Sequence, residues 1–284
     1  MAAGEHDVSR MTTGKTESEA AAPLADLVDL HYVERDGVAL VTIDRAAVHN
    51  AISLATMAEL ARVLDWLESG SIVGAVVLTG AGDRTFVSGG DLKDFEQITT
   101  YDAAVAMSRR MQSLTARLRA LSIPVIGAIN GDSLGGGCEV ALACDIRVVS
   151  SAAHFGFKQV TLGITPAWGG LPRLVRQVGR ARALTLLLTG ELIDAIEAQR
   201  IGLADRVVPP GEVVDAAFEP ARTIARNPRG AVRAIKRMVD AEPSSAEEAQ
   251  AFEADLFART WISEDHDEAL AARRERRPPN FKGR

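Results

Sequence analysis

The sequence predicts an α/β fold built from successive strand-strand-helix turns and ending in a purely helical region. Three observations carry this. The apolar run Pro124-Val125-Ile126-Gly127-Ala128-Ile129-Asn130 reads as a buried strand, and it leads through Gly135-Gly136-Gly137 into the helix-like Glu139-Val140-Ala141-Leu142-Ala143. The apolar run at 73–79 likewise runs toward a turn with paired glycines, Ser88-Gly89-Gly90. From Gly211 onward only helical patterns remain, including 246–274.

The elements follow in order. Residues 1–28 are rich in Ala, Glu, Ser and Thr, and they carry Glu5, Asp7, Glu17, Glu19 and Asp26. That composition fits neither a transit peptide nor a signal peptide and is expected to form a disordered extension. Residues 37–44 alternate as a strand, and Ser53 is placed to cap a helix with Leu54, Met57, Leu60, Leu64 and Leu67 on one side. A helix over 102–121 carries Met107 and Met111 as core filler. Strands are expected at 145–150 and 205–208, with a helix over 170–188 broken near Gly179. This divides the chain into the extension (1–28), an α/β core (29–210) and a helical C-terminal region (211–284).

Bulk properties narrow the function. The 284 residues suffice for a substantial core, and 47% hydrophobic with 25% charged content is that of a soluble protein. A net charge of −6, with both signs mixed along the chain, argues against nucleic-acid binding. No apolar run approaches the ~20 residues needed to cross a bilayer. The two cysteines, Cys138 and Cys144, have neither zinc-site nor disulfide-framework spacing. No metal is therefore expected, and a reducing cytoplasm is the expected location.

The glycine turns carry the chemistry. A strand-to-helix turn of glycines offers backbone N–H groups with no partner inside the helix, so it can receive a negative oxygen. Glu139 lies three residues past Gly136, which brings a candidate acid/base within about a turn of those amides. Read alone, the same residues serve equally for close packing and for a favourable charge at a helix start.

Two further stretches break that tie: Phe86-Val87-Ser88-Gly89-Gly90-Asp91-Leu92-Lys93, and 153–170 with Lys158-Gln159 and Thr165-Pro166-Ala167-Trp168-Gly169-Gly170. With the Gly135 turn they resemble the crotonase, or enoyl-CoA hydratase/isomerase, family, over roughly 33–284. Asp44-Arg45-Ala46-Ala47-Val48-His49-Asn50-Ala51-Ile52 is similar to an early family segment, with Ala46 where proline is usual. The tail from Ser263, closing on Arg277-Pro278-Pro279-Asn280-Phe281, resembles the family's last segment.

The resemblance implies a ClpP/crotonase-like spiral whose helical C-terminal region packs between subunits, as a homotrimer or a dimer of trimers. It implies an acyl-CoA thioester as substrate, with coenzyme A part of that substrate and no separate cofactor. The amides matching the family's oxyanion hole are those of Gly90 and Gly136. Such donors are each worth ~10²–10³ in rate. Ala51, Gly90, Asp91, Leu92, Lys93 and Gly136 match positions that line the CoA site, and Lys93 is a candidate for phosphate. Glu139 matches the first of two family glutamates, whereas Gln159 stands where the second is expected. A glutamine amide neither gives nor takes a proton near neutral pH, so the expected reaction is hydration of a 2-enoyl-CoA through Glu139 alone. Isomerisation and decarboxylation of a malonyl-type CoA ester are the alternatives.

Two readings outside this chemistry remain. Gly131-Asp132-Ser133-Leu134-Gly135 satisfies the Gly-x-Ser-x-Gly elbow of serine hydrolases, with His154 and His266 as the only downstream histidines. A CoA-ester binding or partner protein without catalysis would keep the fold, with Gln159 marking the lost activity. Trp168, Trp261 and His49 are assigned to packing.

Overall fold

The structure, a computed structural model, describes residues 24–283 apart from 71, 242 and 243. In chain order the first elements are β1 (Leu30–Arg35), β2 (Val38–Ile43), α1 (Leu54–Glu68), β3 (Ala75–Gly80), β4 (Thr85–Val87), α2 (Leu92–Phe95) and α3 (Tyr101–Ala120). Next come β5 (Val125–Ile129), β6 (Asp132–Leu134), α4 (Gly136–Ala141), β7 (Ile146–Ser150) and β8 (His154–Gly156). Then follow α5 (Leu171–Val178), α6 (Arg180–Thr189), β9 (Leu192–Asp194), α7 (Ala195–Arg200) and β10 (Arg206–Val208). The chain closes with α8 (Val213–Ala225), α9 (Arg229–Asp240), α10 (Ala246–Trp261) and α11 (Glu264–Glu275).

Strands rich in β-branched residues with no polar face become the centre of a sheet covered on both sides. β3 and β5 are buried along their whole length. They lie inside a six-stranded sheet of order β1-β2-β3-β5-β7-β10, parallel except for the β1–β2 hairpin. That hairpin turns on Asp36 and Gly37, whose φ values of 57° and 75° fit the two-residue turn that strand twist favours. Alternation then sorts side chains between two layers. Ala75, Val77, Ile126 and Ala128 meet Phe218 and Ala217 of α8, while Val76, Leu78, Val125 and Ile129 join the main core under α1 and α3.

Leu24, the first described residue, is buried in the main core. Residues 1–23 of the expected disordered extension lie outside the described residues. Glu59 on α1 ties this entry down by accepting hydrogen bonds from the amides of Val28, Asp29 and Leu30.

A second sheet, β4-β6-β8-β9, positions the site. Its first three strands are parallel, with Val87 opposite Ser133 and Ser133 opposite Phe155. Each therefore ends at the same edge. β4 delivers Gly89-Gly90, β6 delivers Gly135-Gly136, and β8 delivers Lys158-Gln159. Segments distant in sequence meet because their preceding strands are neighbours, which is the usual place for a ligand in such sheets.

Candidate active site

Gly135 adopts φ 52° and ψ −119°, a conformation that side chains resist, and it starts α4 directly after β6. Gly137 is required for a different reason: a Cβ there would lie 1.8 Å from the Val87 carbonyl oxygen. Close approach of α4 to β4 thus fixes the two glycine turns side by side. A Cβ on Gly89 would stand 3.2 Å from the Gly136 nitrogen.

The amides of Gly90 and Gly136 have no hydrogen-bond partner among the described residues. Gly90 bridges Ile52 in parallel, but the bonds run from Ile52 N to Gly89 O and from Asp91 N to Ile52 O. That pattern turns the Gly90 N–H away from Ile52. Gly136 is the first residue of α4, where no intrahelical acceptor exists.

Glu139, on the first turn of α4, is 1% exposed. Its Oε2 accepts the amides of Trp168 at 2.9 Å and Gly170 at 2.8 Å. Its Oε1 accepts Gln159 Nε2 and the Ala167 amide, both at 3.2 Å. Oε2 is thus the anchored oxygen and Oε1 the more weakly held one. Burial pushes the carboxyl above the ordinary glutamate range, against the hydrogen bonds from Gly170, Trp168, Ala167 and Gln159 that favour its charged form. A base of that kind is poised closer to neutral pH.

Gln159 is also buried, and its orientation is determined. A carboxylate only accepts, so the amide must turn Nε2 to Glu139. Its Oε1 is left buried with no partner. Both residues line a cavity of about 150 Å³, together with Gly90, Gly136, Phe95 and Trp168. A buried acceptor without a donor is costly, and a hydrogen from water or ligand in this cavity would satisfy it.

The loop carrying Trp168 is pinned from α3. Ser108 Oγ and Gln112 Nε2 donate to the Ala167 carbonyl, and Thr115 Oγ1 donates to that of Trp168 at 2.6 Å. The same loop gives Glu139 three amides. Gly170 permits this contact, since a Cβ there would fall 2.7 Å from Glu139 Cγ.

These features match known proteins along nearly the whole chain. A family model described as enoyl-CoA hydratase/isomerase fits residues 34–284. The chain belongs to the enoyl-CoA hydratase/isomerase family. It is 40% identical over 255 residues to the short-chain-enoyl-CoA hydratase of Clostridium acetobutylicum, covering 89% of this chain and 97% of that one. It is 36% identical to the 2,3-dehydroadipyl-CoA hydratase of Escherichia coli, over 87% of this chain and 96% of that protein. The crystal structure of an enoyl-CoA hydratase from Bacillus anthracis superposes with a TM-score of 0.86 at 32% identity, covering 90% of this chain and all of that one. The family's spiral fold and its hydratase type of enzyme therefore apply to this chain.

Within this family member the expected residues divide. Gly90, Gly136, Glu139, Gln159 and Leu92 border the cavity. Ala51 is buried outside that lining, and its carbonyl accepts from Arg45. Asp91 acts in the scaffold: it caps α2 and pairs with Arg45 at 2.9 Å. Lys93 is exposed and is not among the residues that border the cavity. Trp168, assigned to packing from sequence, lies against Gly136 and walls the cavity, so that assignment was incomplete. Its place next to the Gly169-Gly170 pair was the available signal.

The serine-hydrolase reading is overturned. Ser133 sits inside β6, is wholly buried, and its hydroxyl has no partner. His154 pairs with Asp132 instead, and His266 stacks on Trp261 in the C-terminal helices. Cys138 and Cys144 are free, buried thiols whose burial pushes their pKa up, the latter to about 12. Among the described residues no His, Cys, Asp or Glu cluster could hold a metal ion, and no helix is long and apolar enough to cross a membrane.

Proposed function

We propose that this enzyme adds water to a 2-enoyl-CoA thioester, with Glu139 as the only carboxylate acid/base. The observation that carries this reading is one buried carboxylate beside a cavity edged by two amides without partners. The thioester oxygen sits between the Gly90 and Gly136 N–H groups. Water donates one hydrogen to Glu139 Oε1 and the other to Gln159 Oε1, which leaves a lone pair directed at the β-carbon. As the carbon–oxygen bond forms, Glu139 takes the water proton and the double-bond electrons move to the thioester oxygen as an enolate. The amides stabilise that charge, each for ~10²–10³ in rate. Glu139 then returns the proton to the α-carbon, so the carboxylate is regenerated and the net change is one water added. Gln159 orients the water and carries no proton.

The CoA moiety belongs to the substrate, and no further cofactor enters the reaction. Exposed Ile235, Val239, Phe257, Trp261 and Ile262 on and after α9 and α10 support a homotrimer or dimer of trimers formed through the C-terminal region.

One observation favours decarboxylation of a malonyl-type CoA ester as second reading. Position 159 is neutral, so it would not repel a substrate carboxylate, and carbon dioxide loss generates the enolate without a second base. Product analysis by mass spectrometry, with crotonyl-CoA and methylmalonyl-CoA in parallel, separates the two. Hydration predicts a hydroxybutyryl product from crotonyl-CoA; loss of carbon dioxide with crotonyl-CoA untouched would overturn it.

A further inference from the structure

We propose that Trp168 closes the acyl end of the cavity and limits the substrate to short-chain thioesters. This rests on the thioester orientation given above. The cavity holds about 150 Å³. Sites for larger ligands commonly span ~300–1,000 Å³.

The wall is rigid for identifiable reasons. A Cβ on Gly136 would fall 2.3 Å from Trp168 Cζ3 and 2.4 Å from Cε3, so the ring already rests on the residue that offers the oxyanion amide. The indole is 4% exposed. Its backbone is held on both sides, the amide by Glu139 and the carbonyl by Thr115. The next carbonyl back is held by Ser108 and Gln112 on α3. A chain leaving the thioester, past Glu139, therefore meets an aromatic face whose backbone is fixed on both sides. Met107, also at the cavity, is unbranched and adaptable and would not by itself impose a limit. Leu92, Leu162 and Ile164 are more than half exposed and belong to the mouth.

The test uses the full-length enzyme, its Trp168→Ala and Trp168→Phe variants, and trans-2-enoyl-CoA esters from crotonyl to decenoyl. Alongside turnover, calorimetric binding of butyryl-CoA and decanoyl-CoA is measured, which needs no reaction. Wild type is expected to lose kcat/KM by at least 10-fold per added methylene once the cavity is full, within the 10–200-fold that one methylene carries. Trp168→Ala should flatten that series and admit decanoyl-CoA, and Trp168→Phe, which preserves an aromatic wall, should fall between. Equal use and binding of crotonyl and decenoyl lengths by wild type would overturn the proposal, as would variants that lower every chain length by one common factor. A binding cut-off that Trp168→Ala or Trp168→Phe relaxes, without hydration of any ester, would uphold the wall and reject the hydratase reading.

Discussion

Replacing Gln159 by glutamate would place a second carboxylate where an amide now lies 3.2 Å from Glu139 Oε1. Two charges at that separation repel by about 5 kcal/mol at an effective dielectric constant of ~20. Holding a proton on an ordinary glutamate, pKa ~4.3, costs about 3.7 kcal/mol at pH 7. Protonation is the cheaper outcome, so the folded variant keeps one proton on the pair while the unfolded chain has lost it. A folded-state pKa raised above the unfolded value gives stability that is lost as pH rises. Relative to wild type, Gln159→Glu should lose about 1.4 kcal/mol per pH unit between pH 5 and 7, close to 3 kcal/mol in all. Urea unfolding at the two pH values measures this directly. The retained proton also supplies a donor for the α-carbon, so crotonyl-CoA hydration should rise, up to the ~10²–10⁴ typical of a positioned acid. A stability difference that does not change with pH would refute the contact between positions 139 and 159.

The two glycine turns should respond differently to a methyl group. Gly137→Ala drives a Cβ to 1.8 Å from the Val87 backbone oxygen, which cannot yield, and should cost about 3 kcal/mol in urea unfolding. Gly90→Ala meets first the Phe95 ring, at 2.4 Å, which can turn aside; stability should stay near wild type, while kcat/KM falls as that ring is pushed into the cavity.

Local pattern exposed much of this molecule before its structure. The β5–glycine–α4 unit, the break at Gly179 between α5 and α6, and the acid at Glu139 follow from apolar runs, turn residues and offset along a helix. The second sheet was hidden because β4, β6, β8 and β9 each have three residues, too few for periodicity to register. Asp132-Ser133-Leu134 consequently read as an elbow when it is a strand with Ser133 buried inside it. Nor does sequence reveal long-range bonding. The amides that anchor Glu139 come from 167–170, and the α3 side chains that hold that loop from 108–115. The same distance concealed Trp168, whose contact with Gly136 depends on the fold.

Glu139 is the centre of the proposed chemistry, and its substitution by alanine is the most direct test. Crotonyl-CoA hydration by wild type and by Glu139→Ala should be followed across pH, with butyryl-CoA binding as the check on a folded pocket. Wild-type kcat/KM is expected to rise with pH through a midpoint above the ordinary glutamate range, because the base acts only when ionised. The variant should lose that limb and ~10²–10⁴ of its rate while still binding butyryl-CoA. Hydration at the wild-type rate, or an unchanged pH profile in the variant, would contradict the assignment of Glu139 as acid and base.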